Sequence, residues 1–267
     1  MTEIVLIKLG GSLLTDKRGE ARAHRRVIGR LAQEIAAGRR KMREGLVLGH
    51  GSGSFGHVAA ARAGLGRGPY GGDAAGIAAT QSEAARLHRL VVEALVRAGV
   101  PTFSWAPSSA LTARAGKPAA GGHFEPLLFA LDRRLVPVTF GDVVFDHRWG
   151  AAILSTEAVL RYLIGRLRRW GHTVRRLLWL GETAGVYDRR GETIPRIDAE
   201  SYRRVLKVVG APAGTDVTGG MRLRLETALA LARLGIGSWI LDGTVPGLLA
   251  AALAGEDVPG TLFAAEQ

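Results

Sequence analysis

The sequence predicts an α/β protein in which helices cover a mainly parallel β-sheet. Short runs of aliphatic and β-branched residues alternate along the 267-residue chain with longer segments of helical periodicity. Glycine-rich segments follow the ends of several of these runs. Parallel strands need a crossover of a dozen or more residues, usually a helix, and the alternation supplies such crossovers.

The first half of the chain begins with a short apolar run, Ile4–Ile7, that predicts a strand. Apolar residues then recur at helical spacing over Arg22–Ala37, and Leu46–Leu48 predicts the second strand. One apolar face runs along Asp73–Ala98, which predicts a long helix. Pro101–Trp105 predicts the strand that follows it.

The second half repeats the pattern. Two close strands are predicted at Val136–Phe140 and Val143–Phe145, and Trp170-Gly171-His172 is the best candidate for a boundary between two lobes. The other predicted elements are a helix over Ala158–Leu167, a strand at Arg175–Leu180, a helix over about Thr218–Leu234, a strand at Ser238–Leu241 and a helix that starts after Pro246.

Composition excludes several classes of protein. With 47% hydrophobic residues and no cysteine, the chain is neither disordered nor a disulfide scaffold, and it has no thiolate nucleophile. No run approaches the ~18–20 apolar residues of a transmembrane helix, and no secretory leader is visible. We therefore expect a cytoplasmic protein.

The chain is strongly basic, with a formal net charge of +12. This charge suggests anionic partners, from nucleic acid to phosphorylated metabolites, but a general compositional preference for arginine explains it as well. Only five of the 36 basic residues are lysines, and two of them, Lys8 and Lys17, lie in one short segment. A compact ammonium fits between phosphate oxygens where a planar guanidinium does not. Lys8 follows an apolar strand, so we expect its ammonium to face a ligand.

Three glycine-rich segments stand where a strand meets a helix, at Lys8–Ser12, Gly49–His57 and Asp216–Met221. Glycine lets backbone amides approach a phosphate, and a helix N-terminus adds partial positive charge. Together the segments indicate a polyphosphate ligand or two phosphorylated ligands.

The second segment also matches the dinucleotide fingerprint G-x-G-x-x-G at Gly51, Gly53 and Gly56. That fingerprint requires a further strand ending in an acidic residue about 20 residues later. The first acid downstream, Asp73, follows a turn-rich run instead, so a nicotinamide oxidoreductase is only an outside alternative. No segment fits the Walker A pattern.

Four segments in order resemble isopentenyl phosphate kinases of the amino acid kinase superfamily: Lys8–Lys17 (KLGGSLLTDK), His50–His57 (HGSGSFGH), Gly141–Asp146 (GDVVFD) and Asp216–Met221 (DVTGGM). The Ser-Phe-Gly-His ending separates this branch from acetylglutamate, aspartate and uridylate kinases. The resemblance implies an open αβα sandwich with a mainly parallel central sheet. Within this one continuous domain, residues 1–170 would bind the phosphate acceptor and residues 171–267 the nucleotide.

The resemblance implies transfer of the γ-phosphoryl group of ATP, with Mg²⁺, to isopentenyl phosphate, which gives isopentenyl diphosphate and ADP. It implies catalytic roles for Lys8, Lys17, His57 and Glu157. It also implies a homodimer, no metal held by the protein, and no nucleic-acid or membrane partner. The residues implied to bind ATP are Lys8, Gly10, Gly11, Ser12, Glu182, Gly220 and Arg224, and those implied to bind the acceptor are Ser52, Gly53, His57 and Thr156.

Several positions depart from the family pattern. Ser52 replaces a third consecutive glycine, Thr156-Glu157 replaces Gly-Asp, and Arg224 replaces a lysine. The extra methylene of Glu157 moves its carboxylate by about 1 Å, and a shift of that size is costly in rate. The acceptor therefore stays open between isopentenyl phosphate, other phosphomonoesters and a fosfomycin-like phosphonate.

Two further classes of function stay open. A basic nucleic-acid-binding protein fits the net charge, although only 6% of the residues are aromatic and no basic-aromatic motif occurs. A catalytically dead nucleotide sensor is suggested because Glu182 and Ala184 stand where the family carries aspartates.

Among the histidines, only His57 is expected to act in the reaction, and His50 is expected to close its loop by hydrogen bonding. The histidines expected at the surface are His24, His88, His147 and His172.

Overall fold

The central sheet organises the fold of the computed structural model, which describes residues 2–16, 21–66, 68–69, 73–209 and 219–266. The strands are β1 (Glu3–Leu9), β2 (Gly45–His50), β3 (Thr102–Ser104), β4 (Ala113–Arg114), β5 (Lys117–Pro118), β6 (Val136–Phe140), β7 (Asp142–Asp146), β8 (Gly150–Leu154), β9 (Thr173–Gly181), β10 (Arg196–Ile197), β11 (Gly237–Asp242) and β12 (Thr261–Phe263). The helices are α1 (Gly11–Leu14), α2 (Arg25–Arg39), α3 (Gly53–Arg62), α4 (Ala74–Arg97), α5 (Pro107–Ala110), α6 (Glu125–Asp132), α7 (Thr156–Arg169), α8 (Ala199–Val209), α9 (Gly219–Ala232) and α10 (Leu248–Leu253).

The strand order in the larger sheet is β10-β12-β11-β9-β1-β2-β6-β3. Neighbouring strands are parallel except for the antiparallel pair β11 and β12. The predicted mainly parallel sheet is therefore confirmed. The sheet runs without a break across the predicted lobe boundary, because β9 follows Trp170–His172 and pairs with β1.

Helices cover both faces of this sheet, and the side chains of β1 alternate between two cores. Ile4 and Leu6 pack with apolar residues of α6, α7, α8 and α9, whereas Val5 and Ile7 pack with those of α2, α4 and α10. A strand buried on both faces reads as a continuous apolar run, which is why β1 shows no polar alternation. Each fully buried aliphatic side chain contributes about 1.5–3 kcal/mol. The result is the αβα sandwich that the resemblance implied.

The longest described helix, α4, has nearly the predicted bounds. Asp73 caps it, because its carboxylate accepts a hydrogen bond from the Gly76 amide at 2.9 Å. Charged residues such as Glu83, Arg86 and Arg89 lie outside the buried face of this helix. No helix within the described ranges is both long enough and apolar enough to cross a membrane.

The smaller sheet, in the order β5-β4-β7-β8, is held together at the Asp146 carboxylate. This carboxylate accepts hydrogen bonds from the amides of Ala115, Gly116, Arg148 and Trp149 at 2.8–3.0 Å. Desolvation by itself would raise the pKa of Asp146, but the four amides outweigh it and lower the pKa to about 2.

Asp146→Asn is expected to lower the free energy of unfolding by about 1–3 kcal/mol at pH 7, because an amide cannot replace a four-fold acceptor. The folded-state pKa lies below the ordinary value of 3.8, so the carboxylate stabilises the fold fully above that value. This stabilisation is lost as the pH falls towards about 2. Urea unfolding from pH 7 to pH 3 should show the gap between wild type and variant narrowing. A gap that is independent of pH, or equal to that of the exposed control Asp257→Asn, would contradict the assignment.

Candidate active site

The candidate site lies at the carboxyl ends of the neighbouring strands β1, β2 and β9, the edge where parallel α/β sheets bind ligands. A cavity of about 420 Å³ opens there. Its lining consists of two glycine loops, the first turn of α7, part of β8 and one residue of α9: Lys8, Gly11, Ser12, Thr15, Gly51, Ser52, Gly53, Ser54, His57, Val58, Gly141, Ile153, Ser155, Thr156, Glu157 and Arg224.

The two glycine loops pack backbone against backbone, which only glycine allows. A Cβ atom on Gly11 would lie 2.7 Å from the Gly53 nitrogen, and one on Gly51 would lie 2.7 Å from the Gly11 nitrogen. Gly53 also has a φ of +51°, and a Cβ there would meet the Thr15 hydroxyl at 2.2 Å. The predicted phosphate loops are therefore parts of one surface.

Lys8 and Glu157 form a buried ion pair at the base of the cavity. Lys8 stands near the end of β1 with 4% of its surface exposed, and Glu157 lies in the first turn of α7. The Lys8 Nζ and Glu157 Oε1 atoms are 2.7 Å apart. The longer Glu157 side chain thus reaches the lysine despite its departure from the family's aspartate.

Burial sets the electrostatics of this pair. It lowers the pKa of Lys8, Glu157 opposes that shift, and Arg224 adds to it. Burial would raise the pKa of Glu157, but the attraction of Lys8, their hydrogen bond and Arg224 together lower it. Glu157 is therefore a carboxylate that holds Lys8 in place.

Arg224, from α9, brings a second cation to the cavity. It is half-buried, and its Nε atom is buried with no hydrogen-bond partner among the described residues. A buried guanidinium nitrogen without a partner is costly, and an anionic ligand would satisfy it. This is the position where the family pattern has lysine, and the positive charge is retained.

His57 lies in α3 at the mouth of the cavity, where its side chain is exposed. Partial desolvation lowers the pKa of His57; nearby Glu157 opposes this shift and Lys8 adds to it. A ring in this position can donate a hydrogen bond to a bound anion. The predicted set of Lys8, His57, Glu157 and Arg224 thus converges on one cavity.

The acceptor residues predicted from the sequence lie at the same cavity. Ser52 is the N-cap residue of α3 and Gly53 is its first residue, and their amides donate to no protein group within the described ranges. Such amides at a helix N-terminus can bind an anion. Thr156 is buried and its hydroxyl donates to the His50 carbonyl at 2.6 Å, so it also fixes the loop.

Some of the residues predicted to bind ATP do not line this cavity or lie outside the described residues. The Gly10 amide donates to the Leu180 carbonyl at 2.8 Å and Gly10 is not part of the lining, whereas Gly11 and Ser12 are. Glu182 is exposed after β9 and does not line it. Gly220 lies in the first turn of α9, while Lys17 and residues 216–218 of the third glycine segment lie outside the described residues.

Two hydroxyl residues at the site were not predicted. Thr15 Oγ1 donates to the Gly11 carbonyl at 2.9 Å and accepts from the Ser54 amide at 3.0 Å, and so links the two loops. Ser54 Oγ is buried in the cavity wall and has no hydrogen-bond partner within the described ranges. The only sequence signal was that both lie inside the glycine-rich segments.

His88 corrects one expectation from the sequence. We expected this residue at the surface because charged residues surround it in the chain, but it has only 6% exposed surface. Its Nδ1 atom forms a hydrogen bond of 3.0 Å with His50 Nε2, and its ring stacks on Phe140. The role expected for His50 is consistent with its hydrogen bond to the Gly51 carbonyl at 3.1 Å.

Comparisons with known proteins agree with this geometry. A model of the amino acid kinase family matches residues 3–242. Isopentenyl phosphate kinase of Methanothermobacter thermautotrophicus is 32% identical over 97% of this chain and 98% of its own length. The Haloferax volcanii enzyme of that name is also 32% identical, over 98% and 99%. A solved isopentenyl phosphate kinase structure superposes with a TM-score of 0.80 at 28% identity and covers 97% of this chain and 99% of its own. The chain therefore belongs to the amino acid kinase family, among the isopentenyl phosphate kinases.

Proposed function

We propose that this protein transfers the γ-phosphoryl group of ATP to isopentenyl phosphate and releases isopentenyl diphosphate and ADP. The observation that carries the proposal is one cavity that Lys8, Arg224 and His57 line together with amides of two glycine loops that have no partner among the described residues. Phosphoryl transfer needs positioning and neutralisation of phosphate oxygens, and these groups supply both.

In this mechanism the amides of Ser52 and Gly53 hold the acceptor phosphate, and His57 donates a hydrogen bond to it. The amides of Gly11 and Ser12 hold the donor phosphates. Because these loops touch, the two phosphates meet at Lys8. An acceptor oxygen forms the new bond to the γ-phosphorus as the bond to the bridging oxygen of ADP breaks.

Lys8 is the group that neutralises charge on the transferring phosphoryl. Glu157 holds its ammonium at 2.7 Å and so fixes its direction before substrate binds. A charged group that is already oriented in a buried site needs to move little during the reaction. Arg224 would bind the donor phosphates through its Nε atom, which has no hydrogen-bond partner in the described part of the chain.

The site's residues fit magnesium that arrives bound to ATP. Glu157 is the one carboxylate that the described residues bring to the cavity lining, and Lys8 already pairs with it. Magnesium keeps several waters and commonly binds through substrate phosphates, where it would neutralise their charge. Lys8 and Arg224 then need to balance only the remaining charge.

An apolar wall favours an isoprenoid acceptor over a small polar one. Val58 and Ile153 line the cavity close to His57. Ile153 packs with Ile77 against a small core of Ala60, Leu65, Val143 and Ala151. A short hydrocarbon tail can bury itself here, whereas a fosfomycin-like phosphonate gains little from this wall. Phe55, Trp105 and Phe124 lie in the two main cores and do not line this cavity.

The proposal is tested by ADP release in the presence of ATP, Mg²⁺ and one acceptor at a time. We expect turnover of isopentenyl phosphate and dimethylallyl phosphate at kcat/KM values at least about tenfold above that of fosfomycin. Turnover of no phosphorylated acceptor would overturn the proposal, and ATP binding without turnover would identify a nucleotide sensor. Binding of nucleic acid with an affinity that falls steeply with salt would favour the nucleic-acid alternative.

His57→Asn is expected to lower kcat/KM for isopentenyl phosphate by about 100-fold or more, because a hydrogen bond to a charged group in the cavity is lost. The KM for ATP should change less than about threefold, since His57 serves the acceptor side. Steady-state kinetics with each substrate varied in turn measures both effects. His147→Asn, at an exposed histidine that does not line the cavity, is the matched control. Equal losses for both substrates would contradict the assignment.

The two parts of the chain supply different sides of the proposed site. Residues 1–170 supply most of the acceptor side, and residues 171–267 supply Arg224.

The proposal includes a homodimer. It is supported by the open edge of the sheet at β3 and by exposed Val96 and Phe129 on α4 and α6, which cover opposite faces of the sheet. Light scattering tests it, with Phe129→Glu expected to give monomers. We expect the reaction to take place in the cytoplasm, where ATP is available.

A further inference from the structure

Behind the acceptor loop, two buried histidines and a serine at the surface form a continuous line of hydrogen bonds. His50 ends β2 and is fully buried, His88 lies on the inner face of α4, and Ser104 ends the edge strand β3. The His50 Nε2 and His88 Nδ1 atoms are 3.0 Å apart, and His88 Nε2 lies 2.5 Å from the Ser104 hydroxyl. At the other end, His50 Nδ1 lies 3.1 Å from the carbonyl oxygen of Gly51.

Chemistry fixes the direction of every hydrogen bond in this line. The Gly51 carbonyl can only accept, so His50 carries its proton on Nδ1. In a neutral ring Nε2 is then an acceptor, and His88 must donate to it from its own Nδ1. His88 Nε2 in turn accepts from the Ser104 hydroxyl. Burial lowers the pKa of His50 to about 4 and that of His88 to about 2, so both rings are neutral near pH 7.

The line ends on the peptide group that presents the first acceptor amide. In a trans peptide the carbonyl and the amide N–H point in opposite directions. The hydrogen bond from His50 draws the Gly51 carbonyl to the protein interior and thereby turns the Ser52 N–H towards the cavity. The His50 carbonyl is also fixed, because it accepts from Thr156 Oγ1 at 2.6 Å and from the Gly141 amide at 3.1 Å.

We propose that His88 is a positioning residue for the phosphate acceptor: through the Nδ1–H tautomer of His50 it fixes the Gly51–Ser52 peptide so that the Ser52 amide faces the acceptor phosphate. The inference rests on the proposed function only in the identity of the ligand. The order Ser104 to His88 to His50 to Gly51 is a property of the protein alone. His88 reaches no substrate and acts through His50.

Two substitutions at one position separate the hydrogen bond from packing. His88→Phe keeps ring stacking on Phe140 but has no donor for His50 Nε2. His88→Asn loses the ring but keeps an N–H at a similar distance from the backbone. We expect His88→Phe to raise the KM for isopentenyl phosphate about tenfold, the size of one lost buried hydrogen bond, and to leave the KM for ATP within about twofold. His88→Asn should stay within about threefold of wild type for both substrates.

The control is Arg89→Leu, at the exposed neighbouring position of the same helix. Ser104→Ala should have a smaller effect than His88→Phe, because Ser104 lies at the surface and water can replace its hydroxyl. The proposal is overturned if His88→Asn is impaired more than His88→Phe, or if the two KM values rise together.

A readout on the wild-type protein needs neither activity nor a variant that folds. Imidazole ¹⁵N chemical shifts distinguish protonated from unprotonated ring nitrogens. Near pH 7 we expect the proton on Nδ1 in both His50 and His88, with a scalar coupling across the bond between them. A proton on Nε2 of His50 would overturn the inference even in an active kinase. The expected tautomers in a protein without kinase activity would leave the positioning of the Ser52 amide intact and reject only the proposed function.

Discussion

Lys8→Met is expected to lower kcat by about 10³-fold or more. Methionine has a similar length and no charge, so the phosphoryl group would transfer without its buried cation. Groups that neutralise charge on a transferring phosphoryl are worth about 10³–10⁵ in kcat in related chemistry. Single-turnover phosphoryl transfer from labelled ATP measures the effect separately from substrate binding.

The same substitution leaves Glu157 as an unpaired buried carboxylate, which costs about 3–5 kcal/mol of stability. A second variant, Lys8→Met with Glu157→Gln, removes that charge. We expect the double variant to recover most of the unfolding free energy and none of the activity. If activity returned together with stability, Lys8 would be a structural residue and the assignment would be wrong.

Gly11→Ala is expected to lower kcat/KM for both substrates by about 100-fold or more. The added Cβ would lie 2.7 Å from the Gly53 nitrogen and 2.8 Å from its Cα, so the loops must separate. A misplacement of about 1 Å at such a site costs on the order of 10² in rate. Kinetics with each substrate varied in turn, beside isothermal titration of ATP, measures the loss.

Gly29→Ala on α2 is the matched control, since a Cβ there meets nothing within 4 Å. Alanine in a helix interior should slightly raise stability and leave activity unchanged. A Gly11→Ala variant with near-normal kinetics would show that the two loops bind their ligands independently.

Local pattern was sufficient to predict the sheet and its main helices. The strand over Val136–Phe140 has its predicted bounds, and α4 differs from its prediction by one residue at each end. Both elements carry strong local signals, a β-rich run and a long apolar face closed by an Asp73 cap. Lys8 could be predicted as a ligand-facing residue because lysine is rare in this chain and this lysine follows an apolar strand.

Elements that depend on distant contacts could not be predicted in this way. Helix α3 begins with glycine and serine, which are weak helix formers, and Thr15 holds its first turn. His88 has charged neighbours in the chain, and only its contact with His50 across the fold explains its burial. The Lys8–Glu157 pair joins β1 to α7, so its geometry exists only once the sheet is formed. Family resemblance identified both residues but not their 2.7 Å contact.

The contact between the two glycine loops restricts where this enzyme can change during evolution or in the laboratory. Side chains cannot enter at Gly11, Gly51 or Gly53 without forcing the loops apart, so these three positions tolerate almost no variation. Val58 and Ile153, on the cavity wall, carry no such restriction from the loops. Acceptor chain length can therefore be altered by changing the volume of these two side chains, while the machinery of phosphoryl transfer is inherited intact.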